Sequence, residues 1–284
     1  MKGGPGQGGA TIPMQIRDIR VGDGAELVLI SGLNVLESLD GALACAEAVR
    51  AIAERHGLPA IFKASFDKAN RSSQDSYRGL GLDEGLRVLE RVQSETGMAT
   101  TTDVHEPGQA KFVADVVDLL QIPSFLSRQS DLIAACAGTG KPLNIKKGQF
   151  MAAADTLRAV EKARHFGAQG VMLTERGTSF GYNDLVFDPR NLLWMREHAP
   201  VCLDATHSVQ RPGAGENASD GDRRFVAPFA RAAAAIGVDA LFIETHPDPD
   251  RAPCDGACQI RLEELDRLVS EVCAIRTAVA NARC

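Results

Sequence analysis

The sequence predicts an α/β protein folded as a (β/α)8 TIM barrel with a short N-terminal β-hairpin. Short apolar segments alternate with longer amphipathic segments, and the apolar ones have the near-continuous hydrophobicity of strands buried on both faces. The apolar segments are residues 27–31, 60–64, 99–103, 119–122, 143–146, 171–174, 201–204 and 241–244. The helical segments are residues 39–55, 83–96, 108–117, 130–137, 153–166, 190–198, 224–236 and 263–280. Eight strands, each followed by a helix, favour a closed barrel over an open doubly wound sheet built from the same units.

The chain length agrees with one barrel domain. The chain has 284 residues, and barrels of about 250 residues commonly form a single unit. We therefore predict one domain over residues 12–284, preceded by a flexible Gly-rich segment over residues 1–11. Residues 12–26 are predicted to form the hairpin, with its turn at Gly22, Asp23 and Gly24.

Composition excludes several classes of function. A net charge of −6 argues against a broad surface for nucleic acid or acidic membranes. No apolar run approaches the roughly 20 residues that cross a bilayer, and the opening residues lack the apolar core of a secretory signal. Seven cysteines, an odd and scattered set, do not resemble a disulfide framework. These features predict a cytoplasmic protein that binds neither nucleic acid nor membranes.

Polar side chains stand at the carboxyl ends of the predicted strands, where barrel enzymes place their chemistry. In chain order they are Asn34, Lys63, Asp103, Gln121, Lys146, Arg176, His207 and Glu244. The loop after the second strand adds Lys68, Asn70, Arg71 and Ser72, and arginine with hydroxyl groups suits a phosphate. Lys146 and Arg176 end adjacent strands and are predicted to hold a second anion. Two anion sites imply two phosphorylated substrates or one bisphosphate.

Some neighbouring residues have other interpretations. Lys147 is predicted to face away from the site, because side chains alternate along a strand. His207, Glu244 and Asp255 are residue types of a divalent metal site, and we interpret the nearby Cys254 and Cys258 as small buried thiols. A dinucleotide cofactor is not expected, since no Gly-x-Gly-x-x-Gly motif follows the first strand. A polar, Gly-rich insertion over residues 213–222 is predicted to be a mobile lid.

The segments around these residues resemble a known family, the 3-deoxy-D-manno-octulosonate 8-phosphate synthases. The resemblance runs from about residue 28 to residue 256. Its segments are SGLNVLES (31–38), FKASFDKANRSS (62–73), TDVHEP (102–107), DLLQIPSFLSRQSDL (118–132), NIKKGQF (144–150), RGTSFGYNDL (176–185), DATHSVQ (204–210) and FIETHPDPDRAPCDG (242–256). The KANRSS sequence distinguishes these synthases from the sister family that uses erythrose 4-phosphate. Glu175 departs from the pattern, which has aspartate before Arg-Gly.

The resemblance implies an activity and a role for each residue. The implied reaction joins phosphoenolpyruvate to D-arabinose 5-phosphate in lipopolysaccharide biosynthesis. Asn70, Arg71 and Ser72 would bind the sugar phosphate, and Lys68, Gln121, Lys146 and Arg176 would bind phosphoenolpyruvate. Lys63 and Asp103 would contact the carbonyl end of the sugar, and Arg128 would reach into the site from a neighbouring subunit of a homotetramer.

The resemblance also bears on metal dependence. The family divides by the residue at the end of the first strand, where one class has a cysteine that joins a His, a Glu and an Asp around a divalent ion. Here the position is Asn34, and His207, Glu244 and Asp255 match the other three. An amide is a much poorer ligand than a thiolate. We therefore expect these four residues to be catalytic without a metal or another cofactor.

Two alternative functions use the same residues. A barrel aldolase could form a Schiff base through Lys63 or Lys146. A non-catalytic sensor could bind sugar phosphates in the same pocket. Trapping with borohydride distinguishes the first alternative, and release of phosphate distinguishes the second.

Overall fold

The computed structural model describes residues 12–70, 75–214 and 220–282. The strands are β1 (Met14–Ile16), β2 (Ile19–Val21), β3 (Val28–Val35), β4 (Ala60–Ser65), β5 (Ala99–Asp103), β6 (Leu119–Ile122), β7 (Leu143–Lys146), β8 (Val171–Glu175), β9 (Thr178–Ser179), β10 (Leu185–Val186), β11 (Val201–Asp204), β12 (Gln210–Arg211), β13 (Asp220–Gly221), β14 (Ala240–His246) and β15 (Ile260–Arg261). The helices are α1 (Leu39–Arg55), α2 (Leu82–Thr96), α3 (Ala110–Val116), α4 (Ser130–Ala137), α5 (Thr156–His165), α6 (Arg190–Arg196), α7 (Val226–Ile236) and α8 (Leu262–Ala282).

Eight parallel strands close into a barrel, which confirms the predicted fold. β3 to β8 pair in chain order, β11 follows β8, and β14 pairs with both β11 and β3. The strands are almost wholly buried because the helices cover the outside of the barrel and side chains fill its interior. Of the helices within the described ranges, none is long and apolar enough to cross a membrane.

The N-terminal hairpin closes the barrel at the amino ends of the strands. Its apolar side chains Met14, Ile16 and Val21 belong to the same buried cluster as the barrel interior. Arg17 donates to the carbonyl groups of residues 97 and 98, directly before β5. The hairpin was predicted, but its predicted turn is wrong.

The hairpin turns five residues earlier than Gly22 suggested. Ile16 pairs with Ile19, so the loop contains only Arg17 and Asp18. Arg17 adopts a left-handed φ of 51° that a glycine would adopt more readily. The Gly22 to Gly24 segment is a separate left-handed turn after the hairpin. The glycines are the more typical turn residues in the sequence. A turn at Arg17 and Asp18, however, places the alternate apolar residues of both strands inside the barrel.

The first barrel strand extends beyond its predicted end and carries Asn34 to the mouth. Its pairing with β4 shifts register between Gly32 and Val35. Gly32 has a φ of 150°, and a Cβ there would overlap the Lys63 carbonyl and the Phe62 ring. The absence of a side chain therefore lets β3 approach β4 and directs Asn34 toward the barrel axis.

Short strand pairs after the barrel strands were not predicted. β9 pairs with β10, β12 pairs with β13, and β15 pairs in parallel with the end of β14. β12 precedes the predicted lid and β13 lies within it, while lid residues 215–219 lie outside the described residues. Three predicted helices, 108–117, 153–166 and 224–236, begin as 3-10 turns at Pro107–Gln109, Ala153–Asp155 and Arg223–Phe225.

Candidate active site

A cavity of about 440 Å³ opens at the carboxyl ends of the barrel strands. The predicted site residues that line it are Lys63, Lys68, Asn70, Asp103, Lys146, Arg176, His207 and Asp255. Asn34, Gln121 and Glu244 lie one layer deeper and contact the lining residues. Arg71 and Ser72 lie outside the described residues. The strand ends therefore bring most of the predicted site into one cavity.

Lys63 and Glu244 form a fully buried ion pair at the base of the cavity. The Lys63 ammonium lies 2.6 Å from Glu244 Oε1 and donates to the Asn34 carbonyl at 3.0 Å. Burial lowers the pKa of Lys63, against the opposing effect of Glu244. Burial raises the pKa of Glu244, but His207 and Lys63 outweigh this effect and lower the pKa to about 2. The pair places an ammonium group at the cavity wall with a carboxylate fixed behind it.

The Asn34 amide contacts Glu244 and Asp255, two of the three residues that match the metal ligands of the other class. Its Nδ2 donates to Glu244 Oε2 at 2.6 Å and to Asp255 Oδ2 at 3.2 Å. His207 Nε2 lies 3.5 Å from the same Glu244 oxygen and 3.9 Å from the same Asp255 oxygen. An amide donor thus engages one oxygen of each carboxylate that a cation would need, and the Asn34 position lacks the thiolate that would complete a metal site.

Asp103 receives hydrogen bonds on both oxygens. Ser65 donates to Oδ2, and Gln121 Nε2 donates to Oδ1 at 2.5 Å. Asn144 donates to Gln121 and accepts from Thr174, which extends the network across neighbouring strands. Burial opposes the charge of Asp103, but Lys63 and Lys68 hold its pKa well below the usual value. Gln121 was predicted to contact substrate, and here its amide is committed to Asp103 and Asn144.

Asp204, which was not predicted as a site residue, links Lys146 to His207. Its Oδ2 lies 2.7 Å from Lys146 Nζ and 2.8 Å from His207 Nδ1, and its Oδ1 accepts from the His207 backbone. Burial disfavours the charged form, but His207 and Lys146 lower the pKa of Asp204 strongly. Lys146 also lies 3.8 Å above the Phe242 ring centroid. Asp204 therefore fixes the orientation of two cavity side chains.

Arg176 has donors available for an anion. Its Nη2 donates to Gln210 Oε1 at 2.7 Å, whereas Nε and Nη1 are buried and have no hydrogen-bond partner among the described residues. Gln210 Nε2 in turn donates to Asp255 Oδ1 at 3.1 Å. Burial lowers the pKa of Arg176, although a guanidinium remains charged at neutral pH. Gln210 also lines the cavity and was not predicted as a site residue.

Lys147 points away from the cavity, as predicted, but it is fully buried. It donates to the Gly148 carbonyl at 3.3 Å, to the Gly177 carbonyl at 3.2 Å and to Thr178 Oγ1 at 3.2 Å. Its Nζ lies 3.7 Å from Glu175 Oε2. Lys147 thereby joins the turns that follow Lys146 and Arg176.

The rim of the cavity contains residues that were not predicted as site residues. His105 lines the cavity against the edge of Phe66, and burial lowers its pKa. Phe125 and Gln149 also line it.

The predicted site residue Arg128 does not line this cavity. It is exposed and lines a separate pocket of about 220 Å³ with Phe150, Arg158 and Lys162. Cys254 and Cys258 are small buried cysteines, as predicted.

Known proteins resemble this chain over nearly its full length. A relative from Synechococcus sp., named 2-dehydro-3-deoxyphosphooctonate aldolase, is 52% identical over 262 residues, which are 92% of each chain. Proteins of the same name from Magnetococcus marinus and Rickettsia bellii are 51% and 47% identical, over 90% and 91% of this chain and 90% and 95% of theirs. The family model described as the DAHP synthetase I family matches residues 10–280. The chain therefore belongs to the DAHP synthetase I family.

Proposed function

We propose that this enzyme is a transferase that condenses phosphoenolpyruvate with D-arabinose 5-phosphate and water. The products are 3-deoxy-D-manno-octulosonate 8-phosphate and phosphate, and the reaction serves lipopolysaccharide biosynthesis. The proposal rests on one observation. Lys146 and Arg176 line the same cavity as residues 68–70, which begin the KANRSS loop. Relatives with the aldolase name at about half identity support this choice of substrates.

The reaction needs two aligned substrates and stabilised negative charge. The enol carbon of phosphoenolpyruvate attacks the sugar aldehyde, water adds at the adjacent carbon, and phosphate leaves by carbon–oxygen cleavage. Lys146, Arg176 and Lys68 supply cations for the carboxylate and phosphate of phosphoenolpyruvate. Burial lowers the pKa of Lys68, but Glu244 and Asp103 overcome this effect and raise it, so Lys68 stays charged at neutral pH.

Lys63 is assigned to the sugar carbonyl. Its buried ammonium, held by Glu244, stabilises the alkoxide that develops when the aldehyde is attacked. Asp103, kept ionised by Lys63 and Lys68, accepts a hydrogen bond from a sugar hydroxyl. Asn34, His207, Glu244 and Asp255 form the polar group that positions the attacking water.

Release of inorganic phosphate tests the proposed function directly. Phosphate should be released from phosphoenolpyruvate only when arabinose 5-phosphate is present, and erythrose 4-phosphate should be a poor replacement. Binding of both compounds without phosphate release would instead support the sensor. Borohydride treatment with a keto substrate should leave the mass of the protein unchanged, whereas a stable adduct at Lys63 or Lys146 would support the Schiff-base aldolase.

Replacing Arg71 should affect one substrate selectively. Arg71→Ala removes a charge-assisted contact worth about 1.5–3 kcal/mol, so we expect KM for arabinose 5-phosphate to rise about tenfold or more. KM for phosphoenolpyruvate should change little. Arg87→Ala, an exposed arginine on α2, is the control. An equal rise in both constants for Arg71→Ala would refute the assignment.

We expect the active enzyme to be a homotetramer in which Arg128 serves a neighbouring subunit. Arg128 is exposed and lies outside the cavity of its own chain, and Phe125 and Phe150 beside it are 52% and 57% exposed. Apolar surface of this kind is typical of subunit contacts. Light scattering during turnover should report four chains, and a fully active monomer would contradict this prediction.

Activity should not depend on a metal ion. Asn34 donates to both carboxylates that would otherwise bind a cation, so removing trace metal should not change the site. We expect full phosphate release after prolonged treatment with EDTA or dipicolinate and assay in metal-free buffer. Loss of activity that returns with Mn²⁺, Zn²⁺ or Co²⁺ would overturn this prediction.

A further inference from the structure

We propose that Gln210 is a positioning residue that holds Arg176 and Asp255 in a fixed relative orientation for phosphoenolpyruvate. Its amide oxygen accepts from Arg176, and its amide nitrogen donates to Asp255. The inference rests on the proposed function, because it assigns Arg176 to the phosphoenolpyruvate end of the cavity. Gln210 itself is not assigned to the reacting atoms.

Gln210 orients Arg176 without neutralising it. A guanidinium carries five N–H donors, and here the side chain of Gln210 accepts from one of them at 2.7 Å. Nε and Nη1 are buried and have no hydrogen-bond partner among the described residues. Since the amide adds no negative charge beside the guanidinium, those donors and the positive charge are left for an anion.

The other end of the amide constrains Asp255. Gln210 donates to Oδ1 at 3.1 Å, and Asn34 donates to Oδ2 at 3.2 Å, so neutral amides approach both oxygens. An amide side chain has an oxygen that accepts from a guanidinium and a separate nitrogen that donates to a carboxylate. An ionised glutamate could not donate to Asp255, and a lysine could not accept from Arg176. The two partners of position 210 therefore favour a neutral side chain that is long enough to reach both and can accept from one and donate to the other.

The backbone of Gln210 is held by pairing outside the barrel. Gln210 begins β12 and pairs with Gly221 of β13, and the Val209 carbonyl accepts from the Asp222 backbone at 3.1 Å. A Cβ on Gly221 would overlap Cys258 Sγ. The β12–β13 pair is thus packed directly against the turn that carries Asp255. This packing fixes the distance that the Gln210 side chain spans.

Three variants at this position test the inference. Gln210→Met keeps the side-chain length but loses both hydrogen bonds, Gln210→Asn is too short to reach both partners, and Gln210→Glu adds a charge. Dissociation constants for phosphoenolpyruvate alone come from calorimetry, and both KM values come from phosphate release. Gln169→Glu, at an exposed glutamine, controls for the added charge. Circular dichroism identifies any variant that does not fold.

The expected results differ between the variants. Gln210→Met and Gln210→Asn should each bind phosphoenolpyruvate about tenfold more weakly, with KM for the sugar within about twofold of wild type. Gln210→Glu should bind still more weakly at pH 8, because the new carboxylate neutralises Arg176 and repels Asp255. Its defect should shrink as the pH falls, since a protonated carboxyl can again donate and accept.

Three outcomes would overturn the inference. They are unchanged binding of phosphoenolpyruvate in the folded Met or Asn variant, an equal rise in both KM values, and a Gln210→Glu defect that does not depend on pH. Binding of phosphoenolpyruvate alone needs no turnover. A wild-type enzyme that releases no phosphate would therefore contradict the proposed function and still leave the role of Gln210 measurable.

Discussion

Lys63→Met should lower kcat by about 10²–10³-fold and destabilise the protein by about 3–5 kcal/mol. The loss of activity follows because the buried ammonium is assigned to the alkoxide that forms on the sugar carbonyl, and removing one such donor has this cost in other enzymes. The loss of stability follows because Glu244, 2.6 Å away and fully buried, would lose its ammonium partner.

A second substitution separates the two effects. Lys63→Met combined with Glu244→Gln removes both charges, so urea unfolding should recover much of the lost stability while phosphate release stays low. Arg87→Met breaks an exposed ion pair with Glu84 and should cost no more than about 1 kcal/mol. If the double variant regained wild-type turnover, Lys63 would not be the group that stabilises the alkoxide.

Acid should destabilise the enzyme steeply between about pH 5 and pH 2. Glu244 has an ordinary pKa of 4.5 and a folded pKa of about 2, and Asp103 and Asp204 are depressed in the same direction. A carboxylate with a lowered folded pKa stabilises the protein above its unfolded pKa. That stabilisation is lost as the pH falls through the folded value, and for Glu244 it is roughly 3 kcal/mol.

Unfolding by urea at a series of pH values measures this effect. Each buried carboxylate should contribute a slope of up to about 1.4 kcal/mol per pH unit within its own window. Asp204→Asn and Glu244→Gln should each be less stable than wild type at pH 7 and should each show a shallower decline in acid. A wild-type stability that stays constant from pH 7 to pH 3 would contradict the assignment of these buried charges.

The barrel was predictable because its strands are continuous apolar runs, but the end of β3 was not. Ser31, Gly32 and Asn34 are polar or small, so the predicted strand stopped at residue 31. In the structure it continues to Val35, because Gly32 allows β3 to lie against β4. A local pattern cannot show that a polar segment is paired on both sides within a closed sheet.

The residue types of the candidate site were predictable from the sequence, but the depth of each side chain in the cavity was not. Lys63, Lys146 and Arg176 were selected as cations at strand ends, and the cavity contains all three. Asp204 and Gln210 were missed because their roles depend on partners far away in sequence. Asp204 contacts Lys146, 58 positions earlier, and Gln210 contacts Asp255, 45 positions later. Such contacts follow from the strand order around the barrel, which spacing along the chain does not show.

The hairpin that closes the amino end of the barrel bears on protein engineering. Met14, Ile16 and Val21 seal the interior at the end opposite the cavity, so the two ends of the barrel can be altered separately. Substitutions at these positions should change the stability of the protein and leave its kinetic constants largely unchanged. Deleting residues 14–21 should instead uncover the barrel interior and produce insoluble protein. Affinity tags are therefore best fused ahead of the hairpin rather than in place of it.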